Sequence, residues 1–390
     1  ASADASALAW QDSASFAGLD ADTAYYVYAK VSGLPNYADA VSEPLNVRTK
    51  AVGKLASPVL DAVTYDPTAT LAGIKLPSGW KWADGSTVPT VKCGAYDAVF
   101  APTAEQLAGC EGFVGEFGPV DDACADAMAA TGMRIVSNMS IGLNHVAVDR
   151  LASHGITVTN CPGYCSDDVA QHAIALMLDL MRQVTFLNRD VRDGIWNPMG
   201  GYIMHRTQGR TLGLVFFGSI ARAVAPIAQA LGMKVLVWAP TKSAEELAGA
   251  GCVKAQTLDE LLGASDIVSL HCPLIPETES LIGKRELALM KPTAFLINMA
   301  RGPIVNENAL VAALDEGIAS GGTRGICGAA LDVLADETEP NQALIAHPRC
   351  IVTPHCAYST QEAYDTVRRM SLQAVVDKLV FNRKPQHTVA

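Results

Sequence analysis

The stretch Thr211-Leu212-Gly213-Leu214-Val215-Phe216-Phe217-Gly218-Ser219-Ile220-Ala221 decides the fold of this 390-residue chain. Its apolar first half predicts a strand over 212–217, and a helical pattern follows over 221–231 after a turn that contains glycine. Further strands are predicted at 234–238, 267–270, 294–298 and 328–331, with helical stretches between them. Alternation of this kind predicts an α/β fold in which helices cover both faces of a doubly wound parallel sheet.

The turn after the first strand is the place where such a domain binds a dinucleotide. The usual pattern there is G-x-G-x-x-G, since glycines make the tight turn and let the backbone approach a pyrophosphate at a helix N-terminus. Here Phe216 stands at the first position, Gly218 at the second and Ala221 at the third. Alanine keeps the third position small, whereas phenylalanine is unexpected in the tight turn. This segment alone predicts a weak nucleotide site.

The end of the second strand normally selects the cofactor. An acidic residue about 20 positions beyond the turn usually binds the ribose 2′-hydroxyl. Ala239 occupies that position, and Thr241, Lys242 and Ser243 follow it and could receive a 2′-phosphate. Lys242 could equally be a solvated loop lysine. We expect NAD as the cofactor, and the sequence leaves NADP open.

Composition excludes several classes of protein. Apolar residues make up 49% of the chain and the formal net charge is −11, which disfavours binding to nucleic acid or to an anionic membrane surface. No apolar run approaches the roughly 20 residues that a bilayer span needs. The ten cysteines form no CxxC pair and no metal-ligand cluster, so we expect no metal and a reduced, cytoplasmic protein without a visible export signal.

The first 102 residues differ in character from the rest. They show strand-forming patterns at 25–31 and 45–49, with glycine and proline turns between them and no helical periodicity. Segments 16–19, 25–28, 42–45, 63–67 and 80–82 resemble fragments of the fibronectin-type and immunoglobulin-like repeats of bacterial surface proteins.

Apolar residues at helical spacing predict one long buried helix over 169–187.

Three further segments carry polar residues suited to catalysis. Arg301 follows a buried strand, Glu337 follows another, and His355 comes after the Thr353-Pro354 turn. Each of these could be a surface or turn residue when considered alone. Their order in an α/β chain suggests one site, because ligands dock at the carboxyl ends of parallel strands.

Six ordered motifs resemble the D-isomer-specific 2-hydroxyacid dehydrogenase family. They lie at 162–172, 209–213, 270–278, 298–302, 331–334 and 353–355, and the resemblance runs from about residue 105 to residue 381. It implies an oxidoreductase, similar to phosphoglycerate dehydrogenase, that transfers a hydride between NAD(P) and C2 of a small D-2-hydroxy acid or 2-keto acid. Glycerate, hydroxypyruvate and phosphoglycerate are plausible substrates. A homodimer is also implied.

The resemblance assigns catalytic roles to particular residues. His355 would exchange the proton with the substrate oxygen, Glu337 would hydrogen-bond His355, and Arg301 would bind the α-carboxylate. Glu339 is an alternative partner for His355, because Thr338 stands where the family usually has proline after the glutamate.

The resemblance also implies two binding sets. Backbone amides around Ser140, Ile141 and Gly142 would bind the substrate carboxylate, although the family usually has glycine at position 140. Asp332 would contact the nicotinamide carboxamide and Val169 would pack on the ring. The complete expected cofactor set is Val169, Gly218, Ser219, Ile220, Ala239, Cys272, Pro273, Met299, Ala300 and Asp332.

The expected domains are a β-rich segment (1–102), a partial flavodoxin-like substrate domain (103–150 and 358–390) and a Rossmann domain (151–357). The first strand–helix–strand unit of the family's substrate domain is missing. Two other hypotheses therefore stay open: a pseudoenzyme or nucleotide-sensing module with a damaged loop, and a fragment of a surface or adhesion protein.

Overall fold

A computed structural model describes residues 109–116 and 119–390 in full and, before them, the backbone of six short strands. The six strands are β1 (Ala24–Val27), β2 (Lys30–Val31), β3 (Ala40–Val41), β4 (Leu45–Arg48), β5 (Trp80–Trp82) and β6 (Ala98–Phe100). Antiparallel pairs form between β1 and β4, β2 and β3, and β5 and β6. The side chains that would identify a fibronectin-type or immunoglobulin-like repeat lie outside the described residues, so that interpretation stays a prediction.

The chain divides into two units, Ala1–Phe100 and Ala101–Ala390, and the second unit contains two parallel sheets. The smaller sheet has the order β7-β8-β9. Its elements are β7 (Gly112–Gly115), α1 (Asp122–Ala130), β8 (Ile135–Asn138), α2 (Val148–Ser153) and β9 (Thr157–Thr159). Backbone hydrogen bonds from Val158 to Ala390 (2.7 Å) and from Val389 to Val158 (2.8 Å) add the C-terminal tail to the β9 edge.

The larger sheet has seven strands, all parallel, in the order β12-β11-β10-β13-β14-β15-β16. Its strands are β10 (Thr211–Val215), β11 (Lys234–Trp238), β12 (Val253–Lys254), β13 (Ile267–Leu270), β14 (Phe295–Asn298), β15 (Gly328–Leu331) and β16 (Cys350–Val352). The strand order reverses between β10 and β13, which is where ligands bind in doubly wound folds. The predicted α/β class with a Rossmann-type sheet is confirmed.

Helices cover both faces of the larger sheet. The helices that follow α2 in the chain are α3 (Ser166–Arg182), α4 (Val184–Arg192), α5 (Ser219–Ala230), α6 (Ala244–Gly249), α7 (Leu258–Ala264), α8 (Lys284–Leu289), α9 (Glu307–Ala319), α10 (Gln342–Ile345) and α11 (Gln361–Leu379), of which α11 belongs to the smaller sheet. Leu214 packs in the core beneath α3 and α5, whereas Val215 points to the opposite core beneath α7. Both cores are fully buried, as expected for a parallel sheet.

The single helix predicted over 169–187 is instead two helices that meet at Gln183. This residue has a φ of 55° and is almost completely buried. Its side chain donates to the Tyr202 carbonyl (2.6 Å) and accepts from the Tyr202 amide (3.3 Å). The break is caused by this contact between distant residues, and apolar spacing carries no sign of it.

The last helix, α11, packs against β7 and β8 of the smaller sheet. The boundary expected between residues 150 and 151 falls inside α2, and β9 pairs with β8 rather than with the larger sheet.

None of the helices in the described part of the chain combines the length and the apolar composition that a bilayer crossing needs.

Candidate active site

His355 and Glu337 form a hydrogen-bonded pair beside the carboxyl ends of β15 and β16. The His355 Nδ1 atom lies 2.9 Å from Glu337 Oε2. A carboxylate only accepts, so the proton lies on Nδ1 and leaves Nε2 to face a ligand. Burial pushes the pKa of the Glu337 carboxyl up, but the hydrogen bond and charge of His355 outweigh it, and the pKa falls below its usual value. Glu339 engages Asp336 through its backbone amide (3.0 Å).

The backbone of His355 is held in an uncommon conformation by Asp332. His355 has a φ of 51°, in the left-handed region. Its amide donates to the Asp332 carbonyl at 2.8 Å. The Asp332 carboxylate accepts from the Cys356 amide (3.0 Å), the Ala357 amide (3.0 Å) and the Thr353 hydroxyl (2.5 Å). Asp332 is buried, so it acts as a fixed clamp on the loop that carries His355.

The same clamp belongs to a small polar cluster. His172, Asp332 and Cys356 bring potential metal-ligand atoms within 4.8 Å of one another. His172 Nε2 lies 3.1 Å from the Thr353 hydroxyl, which in turn donates to Asp332. The cluster is therefore explained as a hydrogen-bond chain that supports the His355 loop.

Arg301 lies just beyond β14, in a turn shaped by Asn298. The buried Asn298 side chain accepts from the Ala300 amide (3.0 Å) and donates to the Arg301 carbonyl (2.9 Å). The Arg301 guanidinium lies directly against Gly142 in the loop after β8 of the smaller sheet, since a Cβ atom built on Gly142 would lie 2.3 Å from Nη2. Only glycine at position 142 permits this approach.

Ser140 stiffens the loop that meets Arg301. Its hydroxyl accepts from the Asn138 side chain (2.5 Å) and donates to the Gly142 carbonyl (2.6 Å). The serine at the expected glycine position is thus tied into the loop itself and leaves the backbone of 140–142 in place.

A cavity of about 360 Å³ brings these groups together. Nine of the residues predicted from the sequence line it: Ser140, Ile141, Gly142, Val169, Ile220, Met299, Arg301, Asp332 and His355. The other predicted residues lie outside this lining: Gly218, Ser219, Ala239, Cys272, Pro273, Ala300 and Glu337. Glu337 lines a neighbouring cavity, which also contains His355.

Sequence reasoning missed two aromatic residues and a histidine of the cavity wall. Tyr164, Tyr358 and His145 all line the cavity. Tyr164 lies inside the motif at 162–172 and Tyr358 follows the motif at 353–355. Their position in or next to these motifs is the signal that could have identified them. His145 Nε2 lies 3.1 Å from the Glu116 carbonyl, and burial, together with the charge of Arg301, lowers the pKa of its imidazole.

The nucleotide turn keeps its shape despite Phe216. This residue adopts a φ of 70°, the conformation that the usual glycine would supply. Its ring packs edge-to-face on Trp238 with centroids 5.7 Å apart. A Cβ atom built on Gly218, the N-cap of α5, would have no heavy atom within 4 Å. No acidic residue lies in the first turn of that helix. The turn and the helix N-terminus therefore suit a pyrophosphate.

The groups expected to attract a 2′-phosphate are engaged elsewhere. Lys242 Nζ lies 3.0 Å from Glu246 Oε1, and the Ser243 hydroxyl caps α6 by accepting from the Glu246 amide (3.1 Å). Ala239 is buried. Two of the three expected groups, Lys242 and Ser243, thus have partners within the protein, which favours NAD.

Comparisons with known proteins agree with this geometry. Residues 174–357 match the NAD binding domain of the D-isomer specific 2-hydroxyacid dehydrogenases. The chain is 38% identical over 240 residues to a glyoxylate reductase of Thermococcus litoralis, covering 59% of this chain and 69% of that protein. It is 36% identical over 233 residues to the D-3-phosphoglycerate dehydrogenase of Bacillus subtilis, covering 60% of this chain but only 43% of that protein.

A solved structure of D-lactate dehydrogenase with NAD⁺ from Lactobacillus jensenii superposes with a TM-score of 0.63 at 31% identity. The match covers 74% of this chain and 88% of that one. Fold, cavity and sequence identity thus converge on one family with NAD as its cofactor. The chain belongs to the D-isomer-specific 2-hydroxyacid dehydrogenases.

Proposed function

We propose that this protein interconverts a small D-2-hydroxy acid and its 2-keto acid with NAD(H). The observation that carries the proposal is the arrangement of the His355–Glu337 pair and Arg301 around one cavity. A proton donor and a carboxylate-binding cation are the two groups that this reaction requires of the protein.

Arg301 binds the α-carboxylate and polarises the C2 oxygen, because a planar guanidinium can donate to both. Amides of the loop that contains Ser140, Ile141 and Gly142 complete the anion site. His355 donates a proton from Nε2 to the C2 oxygen during reduction and takes it back during oxidation. Glu337 fixes the imidazole tautomer by accepting from Nδ1.

The residues around the cavity suit the cofactor. Gly218 and Ser219 would receive the pyrophosphate at the N-terminus of α5, while Val169 and Ile220 line the wall on which a nicotinamide would pack. The remaining members of the set are Ala239, Cys272, Pro273, Met299, Ala300 and Asp332. When bound, NADH supplies the hydride that is added to C2 of the keto acid.

A homodimer is supported by an exposed apolar stretch at α4 and the loop after it. Trp196 is 86% exposed, Met199 87% and Ile203 79%, and Ile195 is also exposed. Large apolar side chains exposed so close together in the sequence are typical of an interaction surface. We infer that a second copy covers them.

The cytoplasm is the compartment we propose. The nine cysteines among the described residues are all free thiols, and seven of them are buried. Structural thiols of this kind persist where the surroundings are reducing.

The test is a titration with NADH and NADPH, followed by protein fluorescence, and then steady-state oxidation of NADH by glyoxylate, pyruvate and hydroxypyruvate. We expect NADH to bind in the micromolar range and at least one keto acid to be reduced. His355→Gln and Arg301→Gln should abolish turnover while leaving NADH affinity close to that of the parent. A parent protein that reduces none of these acids would refute the proposal.

A further inference from the structure

A group of tyrosine rings begins beside His355 at the substrate cavity. The Tyr358 ring centroid lies 6.2 Å from that of His355, 6.4 Å from that of Tyr164 and 5.9 Å from that of Tyr364, each in an edge-to-face arrangement. Edge-to-face contacts of this kind stabilise pairs of aromatic rings. Part of the cavity wall is therefore aromatic and uncharged.

Positive charge is scarce in the same cavity. Arg301 is the only arginine or lysine among the described residues that line it. His145 remains neutral near pH 7, because burial lowers the pKa of its imidazole while Nε2 is held by the Glu116 carbonyl. Once Arg301 binds the α-carboxylate, no arginine or lysine of the described lining is left for a second anionic group.

Negative charge lies next to the tyrosines. Glu116 follows β7 and is half-buried beside His145. Burial is the largest cause that raises the pKa of the Tyr164 and Tyr358 hydroxyls, and the charge of Glu116 adds to it at both. Through its hydrogen bond to His145, Glu116 is a direct neighbour of the cavity wall.

Arg368 is the cation that acts on Glu116. Arg368 lowers the pKa of Glu116 less than burial raises it. Its guanidinium lies over the Tyr364 ring at 5.4 Å and 3.8 Å from the Asp365 carboxylate. Arg368 is thus shared between two carboxylates, and it is not among the residues that line the cavity.

We propose that the cavity selects monoanionic 2-keto and 2-hydroxy acids whose side chain is uncharged, and that it rejects phosphorylated and dicarboxylic acids of similar length. This inference rests on the proposed function, and it names the substrate class. A hydroxyl group on the substrate finds the tyrosine hydroxyls and the neutral His145 as partners. A phosphate loses its hydration without gaining an arginine or lysine of the described lining, and the Glu116 carboxylate disfavours it.

The experiment compares hydroxypyruvate with 3-phosphohydroxypyruvate in the parent, in Glu116→Gln and in the control Glu279→Gln, which removes an exposed carboxylate in a loop after β13. We expect kcat/KM of the parent to be at least about 100-fold higher for hydroxypyruvate than for 3-phosphohydroxypyruvate. Glu116→Gln should lower this ratio about tenfold. Glu279→Gln should keep the ratio of the parent.

Equal turnover of the two acids by the parent, or a preference for the phosphorylated one, would overturn the inference and leave the proposed function intact. Turnover of neither leaves the proposed function to be decided by the assays with glyoxylate and pyruvate. In that case the affinities of the NADH complex for D-glycerate and 3-phosphoglycerate, measured by fluorescence, decide the charge preference separately. Tighter binding of glycerate supports it, and equal or tighter binding of phosphoglycerate refutes it.

Discussion

Replacing Gly142 by alanine should disable the site without unfolding the protein. The added methyl group would lie 2.3 Å from Arg301 Nη2, whereas ordinary contacts begin near 3.4 Å. The guanidinium must therefore retreat by about 1 Å, and a displacement of this size at a reacting centre costs roughly 100-fold in rate. The obstacle is the far end of a flexible side chain, so the free energy of unfolding should change by less than about 1 kcal/mol.

The assay is the steady-state reduction of the best keto acid by NADH, together with thermal unfolding of both proteins. We expect kcat/KM to fall about 100-fold while the melting temperature stays within a few degrees of the parent value. Gly249→Ala is the matched control, because it adds the same methyl group on α6, where no heavy atom lies within 4 Å. Parental kcat/KM in Gly142→Ala would refute the inferred contact between Arg301 and the loop, and so would an equal loss in Gly249→Ala.

Four other substitutions test separate parts of the structure. Phe216→Gly releases about 1–2 kcal/mol of left-handed strain but loses an aromatic pair worth about 0.5–1.5 kcal/mol, so calorimetry should show little change in stability and NADH affinity should be kept or improved. Trp196→Asp should convert a dimer into a monomer in sedimentation experiments. Thr353→Val should lower kcat about tenfold with KM for NADH unchanged, since it loosens the clamp on the His355 loop. Glu337→Gln should remove the stability that this carboxylate contributes at neutral pH. Because its pKa is lowered in the folded protein, that contribution is present above its unfolded pKa and is lost as the pH falls through the folded one. Acid unfolding curves of parent and variant should therefore converge at low pH.

Much of the larger sheet could be predicted because its strands are buried on both faces. The expected strands 234–238, 267–270 and 328–331 coincide with β11, β13 and β15. Continuous apolar runs between turn residues leave little ambiguity in such a sheet. Arg301 and His355 could likewise be assigned to one site, because each directly follows a strand or a turn in a recognised order.

Features that depend on contacts between distant residues could not be predicted. The break at Gln183 depends on Tyr202, which lies 19 positions away. The clamp that Asp332 places on Cys356 and Ala357 exists only because β15 and β16 are neighbours in the folded sheet. The sequence alone predicts that Phe216 damages the turn, because the contact between its ring and Trp238 exists only in the folded protein.

The contact between Arg301 and Gly142 also joins the two sheets of this unit. Arg301 follows β14 of the larger sheet, and Gly142 follows β8 of the smaller one. A substrate carboxylate bound by Arg301 and by the loop of Gly142 would connect the two walls of the cleft and draw them together. An aldehyde or a simple ketone has no such group. Such a molecule would not bind Arg301, and it would not draw the walls of the cleft together. The enzyme would therefore discriminate against it both in binding and in closure of the cleft.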